Sequence, residues 1–155
     1  MLGATGTIGS ATARTLRDRG HDVVCMLRPR PTAPAALDGF TIRYADPNDP
    51  AAVAATFSGD VPFDAVVSCM ASRTGAPADA WAVDHDAHVV ALNAAQAAGV
   101  GSFILLSAIC VQKPKLAFQH AKLAFEDKLI RSGLAYAIVR PTAYFKSLSG
   151  QIARV

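Results

Sequence analysis

Three glycines near the start of the chain have the spacing of a turn that binds phosphate. Gly3, Gly6 and Gly9 are each three residues apart, and a pattern typical of a helix follows them directly. Glycine permits positive φ angles and lets the backbone approach a ligand closely. The free N–H groups and the dipole at a helix N-terminus favour an anion such as a pyrophosphate. The pattern predicts a dinucleotide site, although glycine turns before helices are common and this motif alone is not specific.

An arginine after the next apolar segment bears on which dinucleotide is bound. Arg28 comes directly after residues 22–27, which we interpret as a buried strand. In dinucleotide-binding folds an acidic residue near this place binds the ribose 2′-hydroxyl of NAD, whereas arginine accommodates the 2′-phosphate of NADP. Arg28, supported by Arg30, therefore favours NADPH over NADH. The alternative is a pair of solvated arginines in a loop.

Two further strand ends offer contacts to the nucleotide, because the carboxyl ends of parallel strands line the ligand crevice. Asp46 ends the strand predicted at 41–45, where an aspartate can hydrogen-bond the adenine amino group. A turn or N-cap role before Pro47 is an equally good interpretation of Asp46. Ala71 follows the strand predicted at 64–69, and small side chains there leave room for a cofactor.

Ser107 and Lys122 are the candidate catalytic residues. Ser107 ends the strand predicted at 102–107, and Lys122 lies on the following helix. Phe118 shares a helix face with Lys122, at a place where short-chain dehydrogenases have Tyr-x-x-x-Lys. Phenylalanine cannot donate a proton, which disfavours carbonyl reduction, whereas a lysine can relay one. The alternative for Lys122 is an exposed helix lysine paired with Glu126.

The other reactive side chains indicate no metal or thiol chemistry. Cys25, Cys69 and Cys110 lie far apart and match no metal-binding or redox pattern. His85 and His88 share a helix face, but no carboxylate accompanies them at metal-ligand spacing. We therefore predict no metal site and interpret both histidines as residues of a helix surface or an interface.

Alternating strands and helices must position these residues. The strands are predicted at 22–27, 41–45, 64–69, 102–107 and 135–140, and the helices at 7–19, 51–57, 79–98 and 116–131. Short, continuously apolar strands between helices are typical of a parallel sheet covered on both faces. The fold class is α/β, a Rossmann-type doubly wound parallel sheet. Its first, central strand belongs before Gly3, where only Met1 and Leu2 stand, so we expect a gap in the middle of the sheet.

Composition and charge exclude several classes of protein. The 155 residues suffice for one domain, and 52% apolar against 17% charged residues indicates a globular chain. A net charge of +3 is too small and too scattered to predict a nucleic-acid partner. No apolar run is long enough to span a bilayer, and we recognise no signal or transit peptide. We expect a cytoplasmic bacterial protein, and no feature indicates its oligomeric state.

Longer strings of sequence resemble one enzyme family. Residues 105–114 (LLSAICVQKP), 118–122 (FQHAK), 67–75 (VSCMASRTG) and 140–148 (RPTAYFKSL) are similar to the NADPH-dependent divinyl (proto)chlorophyllide 8-vinyl reductases. That family belongs to the atypical short-chain dehydrogenases, near the isoflavone-reductase-like and NmrA-like proteins. The resemblance implies that NADPH reduces the C8 vinyl group of a tetrapyrrole to ethyl, in the biosynthesis of chlorophyll or bacteriochlorophyll and hence in photosynthesis.

The resemblance also implies roles for residues of this chain. The pyrophosphate would be held by Gly3, Thr5, Gly6, Thr7, Ile8 and Gly9. Arg28 would take the 2′-phosphate and Asp46 the adenine, while Ser107 and Lys122 would face the nicotinamide. The proton donor stays open among Lys122, solvent and Tyr144.

Family members are longer at both ends, which sets the expected domain organisation. They carry the strand before the glycine turn and a C-terminal part that covers the substrate. Residues 1–155 are therefore predicted to be one NAD(P)-binding domain, truncated at both ends and without the substrate part. A compact natural domain that fills the gap differently is the alternative for the fold. For function, the alternatives are a non-catalytic NmrA-like NADP sensor and an inactive fragment. A peripheral location at photosynthetic membranes is compatible with the hydrophobic pigment, although no segment indicates it.

Overall fold

Within the described residues, 1–59 and 61–142, five parallel strands alternate with helices in this computed structural model. The strands are β1 (Val24–Leu27), β2 (Thr41–Tyr44), β3 (Ala65–Ser68), β4 (Ser102–Leu106) and β5 (Ala135–Val139). The helices are α1 (Thr7–Asp18), α2 (Pro50–Ala55), α3 (Pro77–Ala80), α4 (Ala87–Ala97) and α5 (Ala117–Ile130). A 3₁₀ turn occupies Ala35–Leu37, and a π-helical segment, Trp81–Asp86, joins α3 to α4. The predicted α/β class is confirmed.

Leu2 connects two groups of parallel strands into one sheet. β2 pairs with β1 on one side, and β3, β4 and β5 pair in that order on the other. Leu2 bridges Met26 of β1 and Ser68 of β3. Its N–H donates to the carbonyl oxygen of Val67 at 2.8 Å, and its own carbonyl accepts from the N–H of Cys69 at 2.9 Å. The centre of the sheet is thus held at its carboxyl edge by one residue.

On the amino side of Leu2 the sheet has the predicted gap. A cavity of about 30 Å³ lies there, lined by residues of β1 and β3 together with Met1 and Phe63. The α-amino group of Met1 donates to the carbonyl oxygen of Val24 at 2.8 Å, and burial lowers the pKa of this amino group. In the described part of the chain, the backbone pairing that spans the gap comes from Met1 and Leu2.

Two apolar cores pack the helices against the sheet. The larger core includes Val66, Phe103 and Leu105 from the strands and Leu92, Phe125 and Leu129 from the helices. The smaller core is formed by Ala4, Ala13, Cys25, Leu27 and Leu37. Alanines of α4 are buried in the larger core, where small side chains let a helix approach its neighbours closely.

The helix predicted at 79–98 is confirmed in its extent, but one part of it is not α-helical. The helix begins at Pro77, and its middle, Trp81–Asp86, is π-helical. A π-helical turn inserts one residue into the hydrogen-bond ladder and is often found at functional sites. Here it places Asp84 in the interior. The other predicted strands and helices are confirmed, with ends that shift by one or two residues.

Candidate functional site

The glycine turn packs against the end of β3 so closely that no side chain fits. Gly3 has a φ of 72°, and a Cβ there would lie 2.5 Å from the carbonyl carbon of Cys69. A Cβ on Gly9 would lie 2.1 Å from the carbonyl oxygen of Gly3. The N–H of Gly6 donates to that same oxygen at 3.1 Å. Glycine at positions 3 and 9 is therefore a steric requirement of this turn.

The turn leads into a helix N-terminus that is open to an anion. Gly6 is the N-cap of α1, where no side chain forms a capping hydrogen bond, and the first turn contains no acidic residue. Thr5, Gly6 and Thr7 are exposed, and Ile8 is half-buried. Backbone N–H groups and the helix dipole at such an end attract phosphate. The six residues predicted to bind pyrophosphate lie together, and the turn fits that group.

Two buried polar atoms lack hydrogen-bond partners within the described residues. Ser107 directly follows β4, and its backbone N–H donates to the carbonyl oxygen of Val139 at 2.7 Å, but its Oγ has no partner. Nζ of Lys122 on α5 likewise makes no hydrogen bond. Both residues are 4% exposed. Because buried polar groups are nearly always partnered in folded proteins, these two atoms indicate a place for a polar ligand.

Lys122 forms an ion pair with Asp84, so the alternative of an exposed lysine paired with Glu126 is wrong. Nζ of Lys122 lies 3.0 Å from Oδ1 of Asp84, and the Asp84 side chain has 0% exposure. Nζ makes no hydrogen bond within the described residues, so the ammonium has N–H groups available for a ligand. Glu126 instead accepts from Nε of Arg140 at 3.2 Å.

Asp84 is the functional candidate that sequence reasoning missed. Its carboxylate also accepts from Ser72, from the hydroxyl at 2.6 Å and from the backbone N–H at 3.3 Å. The one signal in the sequence is an acidic residue within an alanine-rich helix, where the buried face should be apolar. That signal does not name the partner, since the π-helical segment that turns Asp84 inward is not evident from the residues.

The prediction that His88 lies at a surface or an interface is also wrong. His88 is fully buried, with Nε2 2.8 Å from Oγ of Ser68 and Nδ1 2.8 Å from the carbonyl oxygen of Val83. A carbonyl only accepts, so Nδ1 carries the proton and Nε2 accepts from the serine hydroxyl. Burial, with a smaller effect of the Lys122 charge, lowers the pKa of His88 to about 3. His85 is half-buried and contacts exposed Asp86.

The residues predicted to contact the adenosine part are exposed. Arg28 stands at the end of β1, and Ala71 lies beyond β3. Asp46 follows β2, and its Oδ1 accepts from the N–H of Asn48 at 2.9 Å, so it does have the turn role left open by the sequence. That bond does not exclude an adenine contact. Tyr144 lies outside the described residues.

The comparison with protein families decides what kind of protein this is. The family described as NAD(P)H-binding matches residues 3–153, nearly the whole chain. The chain belongs to the NAD(P)H-binding family. Among solved structures, the Citrobacter sp. triphenylmethane reductase complexed with NADP(H) superposes with a TM-score of 0.80 at 19% identity, covering 99% of this chain and 52% of that one. The likeness confirms the Rossmann fold.

Curated relatives of this chain confirm the resemblance found in the sequence. Divinyl chlorophyllide a 8-vinyl-reductase, chloroplastic, from Oryza sativa subsp. indica is 44% identical in an alignment 169 residues long that covers 100% of this chain and 42% of the relative. Photosystem II assembly factor Ycf39 from Cyanophora paradoxa is 28% identical in an alignment 155 residues long that covers 99% of this chain and 47% of that protein. The chain thus spans less than half the length of the relatives it matches.

Neither a membrane-spanning helix nor a metal site is present in the part of this NAD(P)H-binding chain that the structure describes. No helix among residues 1–59 and 61–142 has the length and apolar character needed to cross a membrane. In the same part of the chain, no group of three or more His, Cys, Asp or Glu side chains is arranged to hold a metal ion.

The buried neutral His88 predicts a fold that is sensitive to acid. The unfolded histidine takes up a proton near pH 6.5, whereas the folded one does so only near pH 3. Between these values the unfolded state binds more protons, so the free energy of unfolding falls as the pH falls, by about 1.4 kcal/mol per pH unit. We expect urea unfolding to show a loss of about 2 kcal/mol between neutral pH and about pH 5.

A matched pair of variants assigns this acid sensitivity. The variant His88→Gln removes the titrating group, so we expect it to lose less stability between the two pH values than the wild type. The variant His85→Gln changes a half-buried neighbour on the same helix and should keep the wild-type loss. An equal loss in His88→Gln and the wild type would contradict the prediction.

Proposed function

We propose that this chain is the NADPH-binding part of an enzyme that reduces the C8 vinyl group of divinyl chlorophyllide or protochlorophyllide to ethyl. The observation that carries the proposal is the pair of buried polar atoms without hydrogen bonds, Oγ of Ser107 and Nζ of Lys122. They lie in a chain that is 44% identical to a divinyl chlorophyllide a 8-vinyl-reductase. We propose that residues 1–155 act as one NAD(P)-binding domain in this reaction.

The cofactor is held along the carboxyl edge of the sheet. The glycine turn and the N-terminus of α1 bind the pyrophosphate, because their N–H groups and dipole suit an anion. The exposed guanidinium of Arg28 pairs with the 2′-phosphate, and Asp46 contacts the adenine. Ala71 leaves room for the cofactor to pass. NADPH, when bound, supplies the hydride for the reduction.

Reduction of a vinyl group to ethyl needs one proton besides the hydride. Lys122 carries protons on a buried ammonium with N–H groups left over, and Ser107 offers a hydroxyl for orientation. Phe118 is half-buried and offers no acid, which suits an alkene better than a carbonyl. The macrocycle is conjugated with the vinyl group and delocalises the developing charge. We therefore assign the proton to Lys122, ahead of solvent and of Tyr144.

The deciding experiment is the conversion of the pigment. Divinyl protochlorophyllide and divinyl chlorophyllide a are incubated with NADPH, and the absorption shift to the monovinyl pigment is followed. Both the chain as it stands and its coding sequence extended in frame on either side are tested, because the relatives are more than twice as long. Conversion that requires NADPH supports the proposal. Tight NADPH binding without conversion by either protein contradicts it.

A non-catalytic role is the second candidate. The similarity to photosystem II assembly factor Ycf39 favours it, and the absence of a tyrosine acid at Phe118 suits it equally. In that case the chain binds NADPH and a protein partner and leaves the pigment unchanged. An inactive fragment would fail to bind NADPH as well. NADPH titration and pigment conversion together therefore distinguish three hypotheses: a reductase, a non-catalytic NADPH-binding protein and an inactive fragment.

The substrate also bears on partners and location. A tetrapyrrole is a flat, hydrophobic small molecule that partitions to membrane surfaces, so we propose a bacterial cytoplasmic protein peripheral to photosynthetic membranes. The net charge of +3 provides no basis for a nucleic-acid partner.

Removal of the Arg28 guanidinium is expected to weaken NADPH binding selectively. A charge-assisted hydrogen bond contributes about 1.5–3 kcal/mol, so Arg28→Ala should raise the Kd for NADPH by roughly 10- to 100-fold. NADH lacks the 2′-phosphate, and its Kd should stay within about twofold. Fluorescence titration with both cofactors measures the two effects. The control is Arg19→Ala, an exposed arginine at the far end of α1. An equal loss for both cofactors would argue against the phosphate contact.

A further inference from the structure

The π-helical segment brings a buried carboxylate against the candidate catalytic lysine. Asp84 and Lys122 have side chains that are 0% and 5% exposed, and Oδ1 and Nζ are 3.0 Å apart. We infer that Asp84 is a positioning residue, whose carboxylate holds the Lys122 ammonium at the reacting end of the cofactor site. The inference rests on the proposed function and names a residue that acts on the reaction through Lys122.

The Asp84 carboxylate is itself fixed in orientation. Oδ2 accepts from the hydroxyl of Ser72 at 2.6 Å, and Oδ1 accepts from the Ser72 backbone N–H at 3.3 Å while contacting Lys122. Ser72 follows β3, Asp84 lies on the π-helical segment and Lys122 lies on α5. Three separate parts of the fold are thus tied at one carboxylate. A side chain held in this way leaves the ammonium little freedom to move.

The contact leaves part of the ammonium available to a ligand. Its geometry is that of an ion pair without a hydrogen bond, so Nζ keeps unpartnered N–H groups in a buried place. The buried Oγ of Ser107 is unpartnered as well. A buried ion pair brings little net stabilisation, so apolar side chains at these two positions would stabilise the fold equally well. Stability alone therefore does not explain the pair. A bound cofactor or substrate would accept hydrogen bonds from the Lys122 ammonium and the Ser107 hydroxyl.

The ion pair of Glu126 with Arg140 differs on this point, because only its carboxylate is buried. Glu126 is buried, but it accepts two hydrogen bonds from Arg140, whose side chain is 34% exposed. That pair joins α5 to the end of β5 and leaves no buried ammonium or guanidinium without a hydrogen bond. We therefore assign a structural role to Glu126 and a positioning role to Asp84.

Asp84 supplies the negative charge that faces Lys122. Within the described residues, the charge of Lys122 also acts on His88 of α4 and on Cys69, which follows β3. His88 is neutral at neutral pH because burial lowers its pKa to about 3. Burial raises the pKa of the Cys69 thiol, which is therefore uncharged too. Glu126 is engaged by Arg140.

The test separates turnover from binding in the variant Asp84→Asn. The amide keeps the size of the side chain but removes the charge that orients Lys122. We expect kcat to fall by about 100-fold, the effect of a misplaced reacting group, while the Kd for NADPH changes by no more than about twofold. The control Asp86→Asn alters an exposed carboxylate two residues along and should leave both values unchanged. Ser72→Ala keeps both charges and should lower kcat by roughly tenfold.

A double variant tests whether Asp84 acts through Lys122. In the Lys122→Met background, Asp84→Asn is expected to cost no further turnover, because the group that it positions is gone. Losses that multiply in the double variant would overturn the inference. So would a kcat in Asp84→Asn equal to that of the wild type.

The chemical reactivity of Lys122 can be measured without turnover, so it tests this inference separately from the proposed function. Lysines are methylated with formaldehyde and a borane, and the modification of Lys122 is compared by mass spectrometry with that of exposed Lys128 on the same helix. We expect Asp84→Asn to raise the ratio of Lys122 to Lys128 modification by about tenfold, and Asp86→Asn to leave it unchanged. Failure of both the chain and its extended form to convert the pigment, although NADPH binds tightly, contradicts the proposed function. An unchanged ratio contradicts the positioning of Lys122 by Asp84, whether or not the pigment is converted.

Discussion

One methyl group added at residue 9 is expected to disrupt the fold. In Gly9→Ala the new Cβ would lie 2.1 Å from the carbonyl oxygen and 2.8 Å from the carbonyl carbon of Gly3. Both atoms belong to the backbone, so no change of rotamer relieves the clash, and α1 must move away from the turn. Overpacking that displaces backbone belongs to the most destabilising changes, so we expect a loss of about 4 kcal/mol. Thermal unfolding should then begin about 10 °C lower.

The neighbouring glycine provides the matched control. In Gly6→Ala the new Cβ comes no closer than 3.4 Å to the Gly3 carbonyl oxygen, and Gly6 has a φ of −78°, which alanine adopts readily. We expect its unfolding midpoint to stay near that of the wild type. Circular dichroism and urea unfolding of the two variants measure the difference. A wild-type midpoint in Gly9→Ala would show that the turn relaxes at little cost.

The glycine turn could be predicted because its cause is local. Gly3, Gly6 and Gly9 are close in sequence, and the conflict of Gly3 and Gly9 with added side chains arises from the backbone of the same turn and from the adjacent end of β3. The strands were predictable for a similar reason, since each is a short apolar run between helices. The predicted gap beside Leu2 follows from the same count of strands.

The partner of Lys122 could not be predicted because its cause is tertiary. Spacing along a helix suggests Glu126, four residues on, but Glu126 turns to Arg140 at the end of β5. The actual partner, Asp84, comes from another helix and is directed inward by a π-helical segment. The burial of His88 has the same origin, because Ser68 at the end of β3 supplies its hydrogen bond. Propensity and periodicity describe one segment at a time. They therefore cannot predict the contact of Asp84 with Lys122 or that of Ser68 with His88.

Loss of the Lys122 ammonium is expected to abolish most turnover and to leave most of the cofactor affinity. In Lys122→Met an apolar side chain of similar length fills the space, so the proton at Nζ is lost while the turn and Arg28 still bind the nucleotide. A positioned proton donor contributes roughly 10²- to 10⁴-fold to a rate, so we expect kcat for vinyl reduction to fall by at least about 100-fold. The Kd for NADPH should rise by less than about tenfold, because the anionic groups are bound elsewhere.

Two further variants separate the proton from the charge and from general damage to α5. Lys122→Arg keeps the positive charge beside Asp84 but holds its protons too tightly to release them, so turnover should stay low while the unfolding midpoint is restored relative to Lys122→Met. Lys128→Met removes an exposed lysine from the same helix and should leave turnover, binding and stability unchanged. Stopped-flow or steady-state measurement of pigment reduction, with NADPH titration on the same preparations, yields all of these values. If Lys122→Met turned over as fast as the wild type, the proton would have to come from solvent or Tyr144, and the buried ion pair with Asp84 would be a structural feature of the fold.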